Sequence, residues 1–275
     1  MSDGTFRSAF PDDDYQSLPF DISVAHQARV YDYMLGGKDN FAADREVGDK
    51  VLEAYPDSAI GSRANRAFLG RAVSFLAGDA GIRQFLDVGT GIPSANNTHE
   101  VAQRVAPESR VVYVDNDPIV LAHARALLTS APEGRTAYLD ADANDPDTIL
   151  ARAAETLDFS QPVAITLLAI LHAIENPYAL TSRLVAAVPP GSYLAISILA
   201  SDIHQEAQAE MTRRLNEGLP GVTVTARSRA EVTRFFDGME LLEPGVVPPN
   251  YWRPGAGGPD PARELPSYAA IGRKR

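Results

Sequence analysis

Apolar positions in this chain change their spacing near residue 84. Before that point they recur every three or four residues, the period of a helix with one buried face. Val30, Met34 and Leu35 share a face of a first helix that Gly36-Gly37 ends, because glycine takes the left-handed turn of a helix stop without a Cβ penalty. Phe41, Val47, Val51 and Leu52 predict a second helix closed by Pro56, and Phe68, Leu69, Ala72, Val73 and Leu76 a third. After that point, short runs of Val, Ile and Leu alternate with helical stretches. Strands are predicted at 84–88, 110–114, 136–140, 163–169 and 192–199, and helices at 95–106, 118–129, 146–156, 178–188 and 202–217. Strands without polar alternation belong to a sheet covered on both faces. Ser228 and Glu231 form a capping box for a helix over 228–236. Two final strands, 240–247 and 268–272, flank a loop at 248–266 rich in Pro and Gly. The pattern predicts an α/β fold in three parts: a loose tail (1–20), a helical cap (21–80) and a mostly parallel sheet with helices on both faces (81–275).

The densest chemistry lies at the changeover. Phe85-Leu86-Asp87-Val88-Gly89-Thr90-Gly91-Ile92-Pro93 reads as a strand entering a glycine turn and a helix. Val111-Val112-Tyr113-Val114-Asp115 reads as a second strand ending in a carboxylate. Glycines at the first strand's tip let the backbone turn sharply and approach a ligand, and an acid about 20 residues on suits a ribose diol. Asp115 stands 24 residues after Gly91, so the pattern predicts a nucleoside crevice. A dinucleotide fingerprint needs a third glycine where this chain has Ser94, and Pro93 removes an N–H that would help hold a pyrophosphate. Asp87 would repel a pyrophosphate, but it suits the ammonium and sulfonium charges of S-adenosylmethionine. These details favour that cofactor over NAD.

Composition narrows the partners. With 275 residues, 45% of them hydrophobic, the chain can bury one large core. It has no cysteine, which excludes disulfides, thiolate metal sites and a cysteine nucleophile, and fits a cytoplasmic location. The opening MSDGTFRSAFPDDD lacks a secretion pattern, and the longest apolar runs, such as 162–174, are too short for a bilayer. A soluble protein with no membrane partner is expected. The net charge of −11 disfavours a nucleic-acid partner and leaves a small molecule as the better one. His26, His99, His123 and His204 have no ligand spacing, so no metal is predicted. No hydrolase elbow or phosphate-binding Gly-Lys-Ser/Thr loop occurs.

The layout resembles the Rossmann-like class I S-adenosylmethionine-dependent methyltransferases, with seven strands and a final antiparallel pair. More narrowly it is similar to an actinobacterial S-adenosyl methyltransferase family long known as a domain of unknown function. The matching stretches are ARVYDYMLGGKDNFAADRE (28–46), RANRAFLGRAV (63–73), QFLDVGTGIP (84–93), HEVAQRVAPESRVVYVDNDPIVLAHARALL (99–128), LLAILHAI (167–174) and SRAEVTRFFDGMELLEPGVVP (228–248). The resemblance implies a fold and a cofactor, S-adenosylmethionine, with S-adenosylhomocysteine as product; it supplies no acceptor. It implies that Asp87 lies near the methionine part, and that Gly89, Thr90 and Gly91 form the turn beneath the cofactor. Asp115 would then hold the ribose hydroxyls, with Asn116 beside the adenine. Asp142 and the N–H of Ala143 would read the adenine edge, with Asp140 and Asp145 as competitors for that role.

The segment YDYMLGGKDN (31–40) carries more polar and aromatic groups than a covering helix needs. Tyr31, Tyr33, Gly37, Lys38 and Asn40 are therefore expected to close over the cofactor and border the substrate, against the plainer reading of a packed helix end. Arg63, Asn65 and Arg66 are weaker candidates for the same role and read more readily as a solvated helical face. In-line methyl transfer chiefly needs alignment, and a general base only where the acceptor must lose a proton. His172, just past the fourth strand, is the first candidate for that base and Glu175 the second. Asn176-Pro177-Tyr178 resembles in part the [DN]PP[YF] signature of amino-group methylases but lacks one proline and fits a turn before a helix. A small-molecule methyltransferase is the leading expectation. A non-catalytic cofactor sensor and an NAD-dependent oxidoreductase are the alternatives.

Overall fold

The computed structural model describes residues 21–127, 130–255 and 263–275, for 123–127 the backbone only; the expected tail at 1–20 lies outside them. Three helices come first: α1 (Gln27–Leu35), α2 (Ala42–Ala54) and α3 (Ser58–Ala77). Gly36 ends α1 at φ +81, where its N–H reaches the carbonyls of Asp32 and Tyr33.

The sheet holds β1 (Gln84–Val88), β2 (Arg110–Asp115), β3 (Arg135–Asp140), β4 (Ala164–Leu168), β5 (Tyr193–Leu199), β6 (Met239–Leu241) and β7 (Ser267–Lys274). Their order is β3-β2-β1-β4-β5-β7-β6. β1 to β5 run parallel, and β7 lies antiparallel between β5 and β6. The crossovers are α4 (Thr98–Val105), α5 (Pro118–Leu127), α6 (Pro146–Ala153) and α7 (Pro177–Ala186); α8 (Gln205–Gly218) and α9 (Arg229–Thr233) lie between β5 and β6.

Successive residues of β1 enter opposite cores, as the two-residue period of a strand demands. Phe85 packs with Phe68, Leu76 and Val101 from α3 and α4, while Leu86 and Val88 pack with Ile149 and Leu184 from α6 and α7. Helices therefore cover both faces. A third apolar cluster joins the cap to α8 through Val30, Met34, Val51 and Met211.

Several boundaries differ from expectation for local reasons. The strand predicted at 240–247 stops at Leu241, because Pro244 has no N–H to give and Gly245 turns the chain at φ +84. Val247 rejoins only as an isolated bridge to Ala269. β4 ends one residue early because Ala169 adopts φ +56. The helix predicted from 202 starts at Gln205, after His204 at φ +47, and the one at 228–236 passes into a 3-10 turn at Arg234–Phe236. Asn176 caps α7 and Pro177 opens it, so that tripeptide is a helix start.

Candidate functional site

Strand order reverses between β1 and β4, and ligand crevices of open α/β sheets form at such a point, outside the strands' carboxyl ends. A cavity of about 430 Å³ opens there, beneath α1, within the ~300–1,000 Å³ of small-molecule sites.

Two glycines shape its floor. Gly89 has φ +75, and a Cβ on it would stand 2.6 Å from Cγ1 of Ile170. Gly91 has φ +68, lines the cavity, and a Cβ there would meet only open space. Thr90 also lines the cavity, and its hydroxyl donates to the Asp87 carbonyl at 3.1 Å. Asp115 holds the turn in register: one carboxylate oxygen accepts the Gly91 N–H at 2.9 Å and the other the Asp117 N–H at 3.0 Å. Each oxygen keeps a second lone pair. Burial pushes the Asp115 carboxyl up, and the two N–H groups pull it back.

Asn116, Asp142 and Ala143 line the same cavity from the tips of β2 and β3. Asp142 accepts the backbone and side-chain N–H of Asn144 at 2.8 and 3.0 Å. Neither competitor lines the cavity: Asp145 caps α6 through the Thr148 N–H, and Asp140 is exposed at the end of β3.

Asp87 is at the cavity wall but is not an open carboxylate. It is buried between β1, β4 and α4, where the Thr98 hydroxyl donates to one oxygen at 2.6 Å and the Thr166 hydroxyl to the other at 2.8 Å. Burial pushes its pKa up against those donors.

His172 is also buried at the wall, pushed down to about 4 by desolvation, with Arg227 adding to the effect. The Gln27 side-chain nitrogen lies 3.1 Å from His172 Nε2 and 3.2 Å from the Ala169 carbonyl. A carbonyl accepts only, so the NH2 of Gln27 faces both and His172 Nε2 is the acceptor. Its proton is then on Nδ1, which is enclosed with no hydrogen-bond partner among the described residues. This ring is a neutral wall group whose lone pair is already used, a poor fit to the expected general base. Glu175 does not line the cavity.

The cap enters the site through a different set of residues from the one expected. Of the five candidates, Tyr31 alone lines the cavity. Tyr33 reaches outward to Asp49 at 2.6 Å, and its ring packs where Gly48 lacks a side chain. Gly37, Lys38 and Asn40 form a turn wound about Asp32, whose carboxylate accepts the Asp39 N–H and the Asn40 side chain at 3.0 and 2.9 Å. Any Cβ at Gly37 would strike that carboxylate. The polar composition of this segment serves the turn.

His26 and Gln27, which the sequence reading passed over, pin the start of α1 across the crevice. His26 Nδ1 lies 2.8 Å from Asp117 on the β2 side, while Gln27 bonds the β4 side. Burial raises the Asp117 pKa, but His26, the Ile119 N–H and Arg29 outweigh it and hold it below the usual range. Arg29, buried beneath, pairs with Asp44 of α2 at 3.5 Å. Of the three weaker candidates on α3, Asn65 and Arg66 line the cavity and Arg63 does not; Asn65 is buried, accepting from Ser197 at 2.6 Å and donating to Tyr31 at 2.8 Å. Its signal was legible, since positions 65, 68, 69 and 72 make one helical face and only the first is polar.

Among the described residues no group of three or more His, Asp or Glu is placed to hold a metal, and no helix is long and apolar enough to cross a membrane.

The fold and the acid-tipped glycine turn define a Rossmann-like protein that binds a nucleoside cofactor. The S-adenosyl methyltransferase family model matches residues 13–275, and the chain belongs to that family. It is thus an S-adenosylmethionine-dependent methyltransferase. A DUF574 family protein from Streptomyces avermitilis is 46% identical, with a TM-score of 0.89 over 93% of this chain and 99% of that one. A Thermobifida fusca protein described as a candidate methyltransferase is 44% identical, with a TM-score of 0.85 over 93% and 97%. An O-methyltransferase family protein from Burkholderia thailandensis, 14% identical with a TM-score of 0.51 over 81% and 61%, shares the fold alone. No curated protein matches the chain. The residues present fit the cofactor: open space above Gly91, two spare acceptor lone pairs on Asp115, and Asn116, Asp142 and Ala143 on the same wall.

Proposed function

We propose that this enzyme methylates a small molecule held between the helical cap and the sheet, with α1 as the cover. Asp115 would accept the ribose hydroxyls while its N–H partners keep the glycine turn beneath them. Asp142 and the Ala143 N–H would meet the adenine edge, beside Asn116. When bound, S-adenosylmethionine supplies a methyl group on positively charged sulfur, open to in-line displacement by a nucleophile. The chain's own part is to align the acceptor and exclude water. Gln27 and His26, bonded to opposite sides of the crevice, support the cover role of α1. His172 is a positioning residue in this reading, holding the Gln27 amide.

The observation that carries the reading is the mutual fixing of Asp115 and the Gly91 turn at the cavity. Calorimetric titration with S-adenosylhomocysteine tests it. Asp115→Ala should weaken binding about 100-fold, as loss of two charge-assisted bonds implies. Asp145→Ala, on the α6 cap away from the cavity, should bind as the parent does. Equal affinity in parent and Asp115→Ala would reject the assignment.

A further inference from the structure

The far end of the cavity bears on what is methylated; this inference rests on the methyltransferase reading and concerns the acceptor alone. Away from Asp115, the wall comes from α1, α2, α8 and the end of β5: Met34, Val51, Leu199, Met211 and Leu215, with Val222 beyond α8. Met34, Val51 and Met211 belong to the cluster that packs the cap on α8. Part of that core therefore borders the cavity instead of closing over it, and apolar side chains left facing such a cavity suit an apolar occupant.

Charge is divided unevenly around the cavity. The charged or titratable liners are His26, Tyr31, Arg66, Asp87, Asp115, Asp142 and His172, and none of them comes from α2, α8 or β5. Arg66 is engaged with the carbonyls of Ala95 and Asn96 in the loop after the glycine turn. Among the described residues, the apolar end offers no cation to an anionic guest and no carboxylate to an ammonium. Burying either charge unpaired is strongly unfavourable.

A fixed chain of neutral groups runs along the wall between β4, β5 and the cap. The Ala169 N–H donates to Ser197 Oγ at 2.9 Å, and the Ser197 hydroxyl to Asn65 at 2.6 Å. The Asn65 amide then donates to Tyr31 Oη at 2.8 Å, and the Tyr31 hydroxyl to the Ser62 carbonyl at 3.1 Å. Burial raises the Tyr31 pKa, so the phenol stays neutral. Tyr31, Asn65 and Ser197 all line the cavity. Ala169 holds its left-handed backbone, rare for a residue with a Cβ, at the head of this chain.

We propose that the methyl acceptor is an uncharged, mainly apolar small molecule. Its hydrocarbon part is enclosed by Met34, Val51, Met211 and Leu215, and its polar edge lies against the Ser197–Asn65–Tyr31 chain. The two unbranched methionines let the pocket fit more than one ring shape.

Ligand-observed NMR on the full chain, saturated with S-adenosylhomocysteine, tests this with 2-naphthol and its charged counterpart 2-naphthalenesulfonate. Naphthol should bind at least about tenfold more tightly than the sulfonate. Gly61 lines the cavity and Gly70 does not, both lie on α3, and a Cβ on either meets open space. Gly61→Phe should weaken naphthol at least about tenfold and leave S-adenosylhomocysteine binding unchanged; Gly70→Phe should change neither. Leu215→Arg should reverse the preference toward the sulfonate. Equal binding of the two probes, no naphthol binding at about 1 mM, or indifference to both cavity variants overturns the proposal. A parent protein that takes naphthol but not S-adenosylhomocysteine overturns the cofactor assignment, and this acceptor with it.

Discussion

Alanine at Gly89 and at Gly91 separates two costs that glycine avoids in this turn. Both residues have left-handed backbones, at φ +75 and +68. An L-residue there loses about 1–2 kcal/mol through the contact of its Cβ with the following carbonyl. At Gly91 that is the whole cost to the fold, because the new methyl meets open space. At Gly89 the methyl would lie 2.6 and 2.7 Å from Cγ1 and Cβ of Ile170, closer than carbon atoms tolerate. Cβ is not the free end of a side chain, so the loop after β4 must shift; overpacking of this kind adds about 1–3 kcal/mol. Gly89→Ala should therefore lose about 2–5 kcal/mol and Gly91→Ala about 1–2 kcal/mol in urea unfolding followed by circular dichroism. In an Ile170→Gly background, which removes both contacting carbons, the Gly89→Ala loss should fall to that of Gly91→Ala. Ligand affinity should rank the other way for Gly91→Ala, whose methyl enters the cavity beside Asp115 and should weaken S-adenosylhomocysteine at least about tenfold. Equal destabilisation by the two alanines, or no relief from Ile170→Gly, would refute the steric argument.

Two further outcomes follow from the wall of the crevice. His172 takes a proton near 6.5 when unfolded but only at about 4 when folded, so between those values the unfolded chain binds more protons and stability falls as pH is lowered. The full loss is about 3 kcal/mol, complete near pH 4. Over that window the parent should lose about 3 kcal/mol more stability than His172→Gln, while the raised carboxyls of Asp87 and Asp115 act alike in both and cancel; equal losses would contradict a buried neutral ring. Gln27→Leu removes the bonds from α1 to Ala169 and His172, so amide exchange in α1 should quicken and S-adenosylhomocysteine should dissociate about tenfold faster. An unchanged dissociation rate would mean that α1 does not cover the ligand.

The legible part of this molecule is the part whose contacts are local or strictly periodic. β1, its glycine turn, β2 and Asp115 fall within one βαβ unit, so spacing alone brings the acid to the turn. Asp87 was legible as a carboxylate at a strand tip but not as a buried one, because its donors Thr98 and Thr166 stand 11 and 79 residues away. Asn65 announced itself as a polar interruption of an apolar helical face, a signal that needs no partner to be read. Gln27 and His172 are 145 residues apart and meet only because α1 crosses the switch point of the sheet. The polar run after Tyr31 was read as a lid because polarity marks both substrate contact and tight turns; Asp32, by gathering Asp39 and Asn40, selects the turn. The same division separates cofactor from acceptor. A nucleoside is held by the tips of adjacent parallel strands, which one motif encodes, whereas the acceptor end draws its wall from α1, α2, α3, α8 and β5. Each of those elements contributes one to three ordinary apolar residues, and only their convergence makes a pocket.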